Sequence, residues 1–397
     1  MLGAIYIGLS GMSAYSKGLQ TISNNVANLN TPGYKSSTTS FSDTFSYGGG
    51  GLTFTGGTDL RQSGTGVSFD QPHVDFRQGD LRQTGNDLDL AIQGSGFLAL
   101  LGGGKTYYAR TGEFVVDSEG FISQRGTGHR LAMLDSSRQL VPINIDSKRS
   151  SLPAATTRIS FADNLSSSAT EASVANIAVF DSRGGQQNWQ VKFQAVGATA
   201  PNQWTVTVTD QTGATVGTST LKFIGGTVDP TTSKLTIATT PAGADPLSVE
   251  LDFSNGVTSF SSGTVSTIRA ASVDGSGAGA LTSVTFDADG KVKLVYSNGK
   301  SELLGSVAVA DFRNPQDLTR VGDGLFVQEG NGERRFVASG SEGAGKLVSR
   351  QMEASNVDLA QQFGELIIIQ RGFQASSQVV SVSNDMIQQL FAMRGQG

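Results

Sequence analysis

Residues 354–394, ASNVDLAQQFGELIIIQRGFQASSQVVSVSNDMIQQLFAMR, decide the fold. Leu359, Leu366, Phe373, Val380 and Ile387 recur every seven residues, the interval of a coiled-coil seam. Phe363 and Phe391 lie four residues beyond members of that series, and Ile369 and Leu390 three beyond, which widens the seam to a helix face. No proline interrupts it. A helix of about 38 residues would run roughly 57 Å at about 1.5 Å per residue, longer than a small domain is wide, so it needs a partner.

The start of the chain offers one. Ile5, Met12, Leu19 and Val26 are also seven apart, and Tyr15, Ile22 and Leu29 each follow a member of that series by three. Both segments carry helix-weakening glycines, Gly3, Gly8, Gly11 and Gly18 at one end and Gly364 and Gly372 at the other, each costing about 1 kcal/mol against alanine. Two readings follow. The segments close one monomer as a coiled-coil stalk, or they gain order against neighbouring subunits in a self-assembly.

Composition narrows the class. A chain of 397 residues should hold about two or three domains, and its 51 glycines approach twice the usual share, which indicates turn-rich β structure. Charged residues make up 16% with a net charge of −5, and no basic run could neutralise a phosphate backbone, so nucleic acid is not an expected partner. There is no cysteine, hence no disulfide framework or thiolate metal site. His73 and His129 are too few for a zinc cluster, and neither a metal nor a cofactor is expected. No apolar run reaches the about eighteen residues of a membrane span. The first residues lack the basic, apolar and small-residue regions of a cleaved secretion signal, which leaves a cytoplasmic protein or another export route.

The N-terminal helix runs into NNVANLNTPGYK (24–35). Pro32 biases its predecessor away from helix and Gly33 permits a left-handed turn, so the helix should end near Asn30. Four asparagines in the seven residues 24–30 compete with the helical backbone for hydrogen bonds: either a fraying last turn or a polar contact.

This string resembles the N-terminal signature of the bacterial flagellar rod and hook family, the axial proteins of the flagellum, with Asn24, Asn25, Asn28, Pro32, Gly33 and Tyr34 as the matching positions. Further matches follow: AIQGSGF (91–97) with Gly94, Gly96 and Phe97; YARTGEF (108–114) with Asp117 and Gly120-Phe121; SNVDL (355–359) with Asn356 and Asp358; and QRGFQA (370–375) with Gln370 and Arg371. The likeness covers roughly 1–145 and 285–397. Gln361 and Gln362 stand where the family commonly has an acidic residue, and Gly372-Phe373 where a small residue and tyrosine are usual.

The body between the helices reads as β structure. Residues 36–71 are rich in Gly, Ser, Thr and Gln, with Phe41, Phe45, Leu52, Phe54 and Val67 as isolated anchors, and should form an extended arm. Strand-like runs at 88–92, 97–101 and 114–116 are set off by Gly-Ser-Gly, Gly-Gly-Gly and Asp-Ser-Glu-Gly turns and continue at 284–286, 291–296 and 307–310. Between them, 189–193 and 204–208 alternate apolar and polar residues in an inserted second β domain. The expected architecture is thus mainly β with α-helical termini. A helical coiled-coil base (1–30 and 357–397) is followed by an extended arm (31–71 and 346–356), an inner antiparallel β domain (72–145 and 281–345) and an outer one inserted in it (146–280).

Three motifs suggest chemistry and none sustains it. Asp287-Ala288-Asp289-Gly290 suggests a calcium loop, but position 1 of the EF-hand spacing falls on Thr285 and the terminal glutamate is missing; a hairpin turn fits. Gly94-Ser95-Gly96 lacks the nucleophile-elbow spacing. Asp75, Asp80, Asp87 and Asp89 lie among turn residues with no apolar pocket to separate their pKa values.

The resemblance implies a structural subunit and no enzyme. Family members build head-to-tail helical tubes, here with Ile5, Met12, Leu19 and Val26 packed against the C-terminal heptad series. It also implies export through the flagellar type III apparatus without a cleaved signal, to an extracellular place in the flagellum. The implied neighbours are copies of the chain itself, a distal rod protein, a hook cap protein and hook–filament junction proteins. The insertion of about 135 residues favours hook-type members, which act as universal joints, over the shorter rod proteins. From a different class, a secreted β-rich hydrolase or adhesin would need a convergent carboxylate or histidine pair in the inserted domain, and none is visible.

Overall fold

The structure, a computed structural model, describes residues 2–47, 62–197, 200–240, 244–330 and 332–394. The chain divides into two compact units, one made of Met1–Asp146, Thr285–Lys293 and Leu303–Gly397, the other of Ser147–Val284 and Leu294–Glu302. The described residues contain two α-helices, α1 (Leu2–Ala27) and α2 (Leu359–Arg394), and both belong to the first unit.

The body of the first unit is a twelve-stranded sheet. Asp89–Gln93 pairs antiparallel with Thr111–Val116, Leu90 opposite Gly112, and on its other edge with Lys346–Ser349, Leu347 opposite Ile92. Phe97–Gly102 lies between Lys105–Ala109 and Arg130–Leu134. Leu90, Ala91, Ile92, Leu98, Ala99 and Leu100 are all fully buried, which is why these runs are apolar throughout rather than alternating. Phe97, Tyr108, Phe312 and Phe326 form an aromatic core with Phe76 against it, and the ring pairs stand 4.8 to 5.8 Å apart.

The second unit holds a ten-stranded sheet around its own apolar core, from Ile159 to Ile268. The alternation read in the sequence is realised: Trp189, Val191 and Phe193 are buried while Gln190, Lys192 and Gln194 face away, and Trp204, Val206 and Val208 repeat the pattern on the adjacent strand. Ser150–Ser151 pairs with Gly279–Ala280, closing the entry of the insertion on its exit.

The boundaries differ from expectation at three places. Residues 346–356 are not arm: Lys346–Ser349 and Gln351–Glu353 are strands, the second paired with Leu81–Gln83. Residues 36–71 are not simply extended: Phe41–Tyr47 and Gln62–Phe69 form a hairpin. At the return from the insertion, 281–284 and Leu294–Glu302, expected in the inner domain, group with the inserted unit. Leu52 and Phe54, two of the expected anchors, lie outside the described residues, as do 395–397.

The turn motifs resolve as backbone structure. The Asp287 carboxylate accepts from the amides of Asp289 and Lys291 at 2.9 and 2.8 Å, a hairpin turn. Asp75 pairs with Arg77, Asp87 with Arg350, and Asp89 accepts from Asn86, so these carboxylates do not converge. Among the described residues no group of three His, Cys, Asp or Glu could hold a metal ion.

Candidate functional site

The two helices meet along a row of small residues. On α2, Gln362, Leu366, Ile369, Phe373, Ser376, Val380, Ser383 and Ile387 are buried or half-buried, alternating four and three residues apart. Leu366, Phe373, Val380 and Ile387 thus face inward as half of the seam; Leu359 is 37% exposed. The other half is polar or small at three of its four positions, Gln362, Ser376 and Ser383.

The matching row on α1 is Gly8, Gly11, Tyr15, Gly18, Ile22 and Asn25. A Cβ at Gly8 would lie 2.6 Å from Val380 Cγ2, at Gly11 2.6 Å from Ser376 Oγ, and at Gly18 2.8 Å from Ile369 Cδ1. These glycines set the close approach of the helices, in the small-residue manner that lets backbones near one another. Gly372 serves the converse purpose: a Cβ there would meet the Tyr15 ring at 2.5 Å, so the glycine in place of the family's usual small residue gives that ring its seat. Ile5, Met12, Leu19 and Val26, the row nominated by periodicity, are half-buried beside the glycine row. The hairpin covers another side of α1. Phe41 packs 5.5 Å from Tyr15 and 5.8 Å from Phe69, and Ser10 Oγ accepts from the Val67 amide at 3.3 Å.

Where the helix pair joins the sheet, the family motifs converge on a buried polar knot. Asn25 is fully buried, and its amide uses every hydrogen-bonding position: Nδ2 donates to Ser37 O and Gln362 Oε1, each at 2.8 Å, and Oδ1 accepts from Tyr34 Oη at 3.1 Å and Ser37 N at 2.9 Å. Asn28 turns back onto Asn24 at 2.9 Å and finishes the helix, whereas Pro32 stays exposed. Gly33 takes φ +70°, and a Cβ there would strike Thr111 Cγ2 at 2.9 Å. Asn356 accepts from Ser36 N at 2.7 Å and donates to the carbonyls of Asp75 and Arg77. Asp358 caps α2 by accepting from the amides of Ala360 and Gln361 at 2.8 and 3.2 Å. Gln370 and Arg371, the remaining motif residues, are exposed on α2.

Beneath this knot lies a charge triad. Glu353 is wholly buried; one carboxylate oxygen accepts from Lys35 Nζ at 2.5 Å and the other from Arg110 Nε at 3.0 Å. Arg110 directs three of its other N–H groups at the carbonyls of Gly94, Gly96 and Ile92, which ties the Gly-Ser-Gly turn to the arginine. Gly94 and Gly96 adopt φ +98° and +102°, and Phe97 follows them into the aromatic core. Burial pushes the Lys35 ammonium below its ordinary value, against the pull of Glu353. The folded chain therefore holds that proton less tightly than the unfolded one, a cost present at neutral pH and relieved as pH rises toward the ordinary lysine value. Arg320 stacks 4.6 Å over the Tyr34 ring and donates to Lys35 O.

Sequence reasoning missed Glu353, Lys35, Gln362 and the glycine row. One signal was present: Gly11 and Gly18 are themselves seven apart, in register with the seam.

The chain is similar to known proteins. Residues 5–35 match the family model described as flagella basal body rod protein, and residues 348–393 match the flagellar basal body rod FlgEFG protein C-terminal model. The chain is 30% identical to the flagellar hook protein FlgE of Treponema pallidum over 470 aligned residues, which cover 99% of this chain and 100% of that one. It is 29% identical to the FlgE proteins of Salmonella typhimurium and Escherichia coli, covering 97% of this chain and 98% of each. The crystal structure of Helicobacter pylori flagellar hook protein FlgE2 superposes with a TM-score of 0.52 over 69% of this chain and 100% of its own, at 12% identity, a likeness of fold alone. With a relative at this identity matched end to end, the chain belongs to the flagellar hook protein FlgE family: an extracellular structural subunit of the flagellum, not an enzyme, that assembles with copies of itself into the hook.

Proposed function

We propose that the chain polymerises head-to-tail into a tube lined by its paired terminal helices, and that this tube is a flexible joint passing motor torque to the filament. The observation that carries it is the face α2 turns away from α1. Ile367, Ile368 and Val382 lie on that face and are all exposed, Ile368 to 69%. A lone subunit has no use for so much apolar surface, and contacts that repeat without closing generate open filaments. Ile5, Met12, Leu19, Val26 and Leu359 flank the helix pair and would complete the seam between subunits. The subunit would travel unfolded through the type III export apparatus and meet the distal rod protein, the hook cap protein and the hook–filament junction proteins.

Changing Ile367 and Ile368 to Asp should leave the monomer's circular dichroism and melting unchanged and abolish polymer in sedimentation, because a charge buried there without a partner costs several kcal/mol. Polymer formed at the wild-type concentration would overturn the reading. Gln370, Ser377 and Asn384, seven apart and exposed, are assigned to the wall of the water-filled channel. Replacing all three by Leu should give regular tubes through which later subunits pass poorly; undiminished export would remove them from the channel wall.

A further inference from the structure

The triad joins parts of the chain that lie far apart: Lys35 and Glu353 are separated by 318 positions and Arg110 and Glu353 by 243. The segment 33–36 rests largely on residues that come last. Gly33 N donates to Glu353 O at 2.7 Å, Ser36 N to Asn356 Oδ1 at 2.7 Å, and Asn356 N to Tyr34 O at 3.4 Å, while Asn25 reaches Gln362 on α2. Docking this segment buries Lys35 completely, and Nζ then has two partners, Arg77 O at 2.7 Å and the Glu353 carboxylate. Asp75, the other carboxylate near Lys35, is engaged by Arg77 at 2.6 Å. Without Glu353 the docked state would hold two buried cations, Lys35 and Arg110, and no anion between them, an arrangement far costlier than the intact triad.

We infer that Glu353 is a completion latch, which lets the end of α1 and residues 33–36 dock on the sheet only once residues 351–356 are in place. A chain whose C-terminal segment has not yet folded keeps α1 undocked, so the helix pair that forms the base closes last. Contacts of such long sequence separation form late in any case, because loop closure must precede them; the buried charges turn that tendency into a requirement.

Pulse-labelled hydrogen exchange during refolding of the full-length chain tests the order directly. Amides of 33–38 should become protected in the same kinetic phase as 351–356 and after those of 97–116. Protection of 33–38 before 351–356 would overturn the latch. In the native full-length protein, Glu353→Gln should lower protection of 33–38 at least about a hundredfold while the inserted unit, which has its own core, keeps wild-type protection. Adding Lys35→Met to Glu353→Gln should restore part of that protection by removing one stranded cation. Unchanged protection in Glu353→Gln, or no recovery in the double variant, would count against the latch. Should Glu353→Gln unfold the whole terminal unit, the wild-type refolding order alone decides.

Discussion

Gly8→Val should abolish the polymer and leave both β bodies folded. A Cβ at Gly8 would stand 2.6 Å from Val380 Cγ2 and 3.2 Å from the Ser376 carbonyl oxygen. The first neighbour can swing aside, but the second is backbone and moves only if α2 moves. Helix propensity favours valine over glycine by less than about 0.5 kcal/mol, so the clash decides the sign. Overpacking of a close contact typically costs about 1–3 kcal/mol, and the branched side chain adds two further carbons to a position that already lacks room for one. The helices must therefore separate, and because α1 meets α2 through Gly8, Gly11 and Gly18 it has no side chains at those positions with which to re-form the contact at a greater distance. Gly364→Ala supplies the contrast: no atom lies within 4 Å of a Cβ there, so the same propensity term acts alone and helix content should rise slightly. Far-UV circular dichroism, melting and sedimentation of the two variants separate the effects. Polymer from Gly8→Val at the wild-type concentration would show that the glycine row is incidental to assembly.

The part of this site legible in the sequence was the part written in apolar residues. Leu366, Phe373, Val380 and Ile387 announce their interval because each is large and hydrophobic; Gln362, Ser376 and Ser383, which complete the seam, do not register in a count of hydrophobic spacing. Ser376 is small where Gly8 and Gly11 bring the facing backbone close, and Gln362 is polar where it meets Asn25. The hairpin from Phe41 to Phe69 was illegible for a related reason: its strands are Ser-, Thr- and Gly-rich, and the surface that orders them belongs to α1, in Ser10 and Tyr15. Lys346–Ser349 has too few residues for a period to show, and it is a strand because Asp89–Gln93 offers it a buried edge. The pairing of Lys35 with Glu353 was illegible, since nothing local tells a buried cation from an exposed one when its partner is 318 positions away. The inserted unit was legible because its sheet has one apolar and one polar face, so alternation records burial directly.

That same alternation governs what the inserted unit contributes to a joint. Its strands turn Gln190, Lys192 and Gln194 away from the core, and Thr205, Thr207 and Thr209 repeat this on the neighbouring strand. Contacts made between subunits by such faces should be small and wet, each worth little. A bending tube needs contacts of that kind, because protofilaments on the inside of the curve shorten while those on the outside lengthen, and only weak contacts slide without breaking the helical seam. The structure supplies a clean way to remove the unit. Ala154 and Ser276 exchange both backbone hydrogen bonds, at 2.9 Å each, so their Cα atoms stand about 5.5 Å apart and a Gly-Gly link can join them. Excising 155–275 removes the whole apolar core from Ile159 to Ile268, which leaves no half-exposed remnant of it, and touches neither helix nor the charge triad. The shortened chain should still polymerise, since the seam and the latch are intact, but into tubes of altered curvature, with impaired swimming in a strain that carries it. Electron microscopy of the hooks reads curvature and assembly together. Wild-type curvature would show that the inserted unit has no part in bending, and failure to form any tube would show that it holds the polymer together, so that sliding contacts could not be its role.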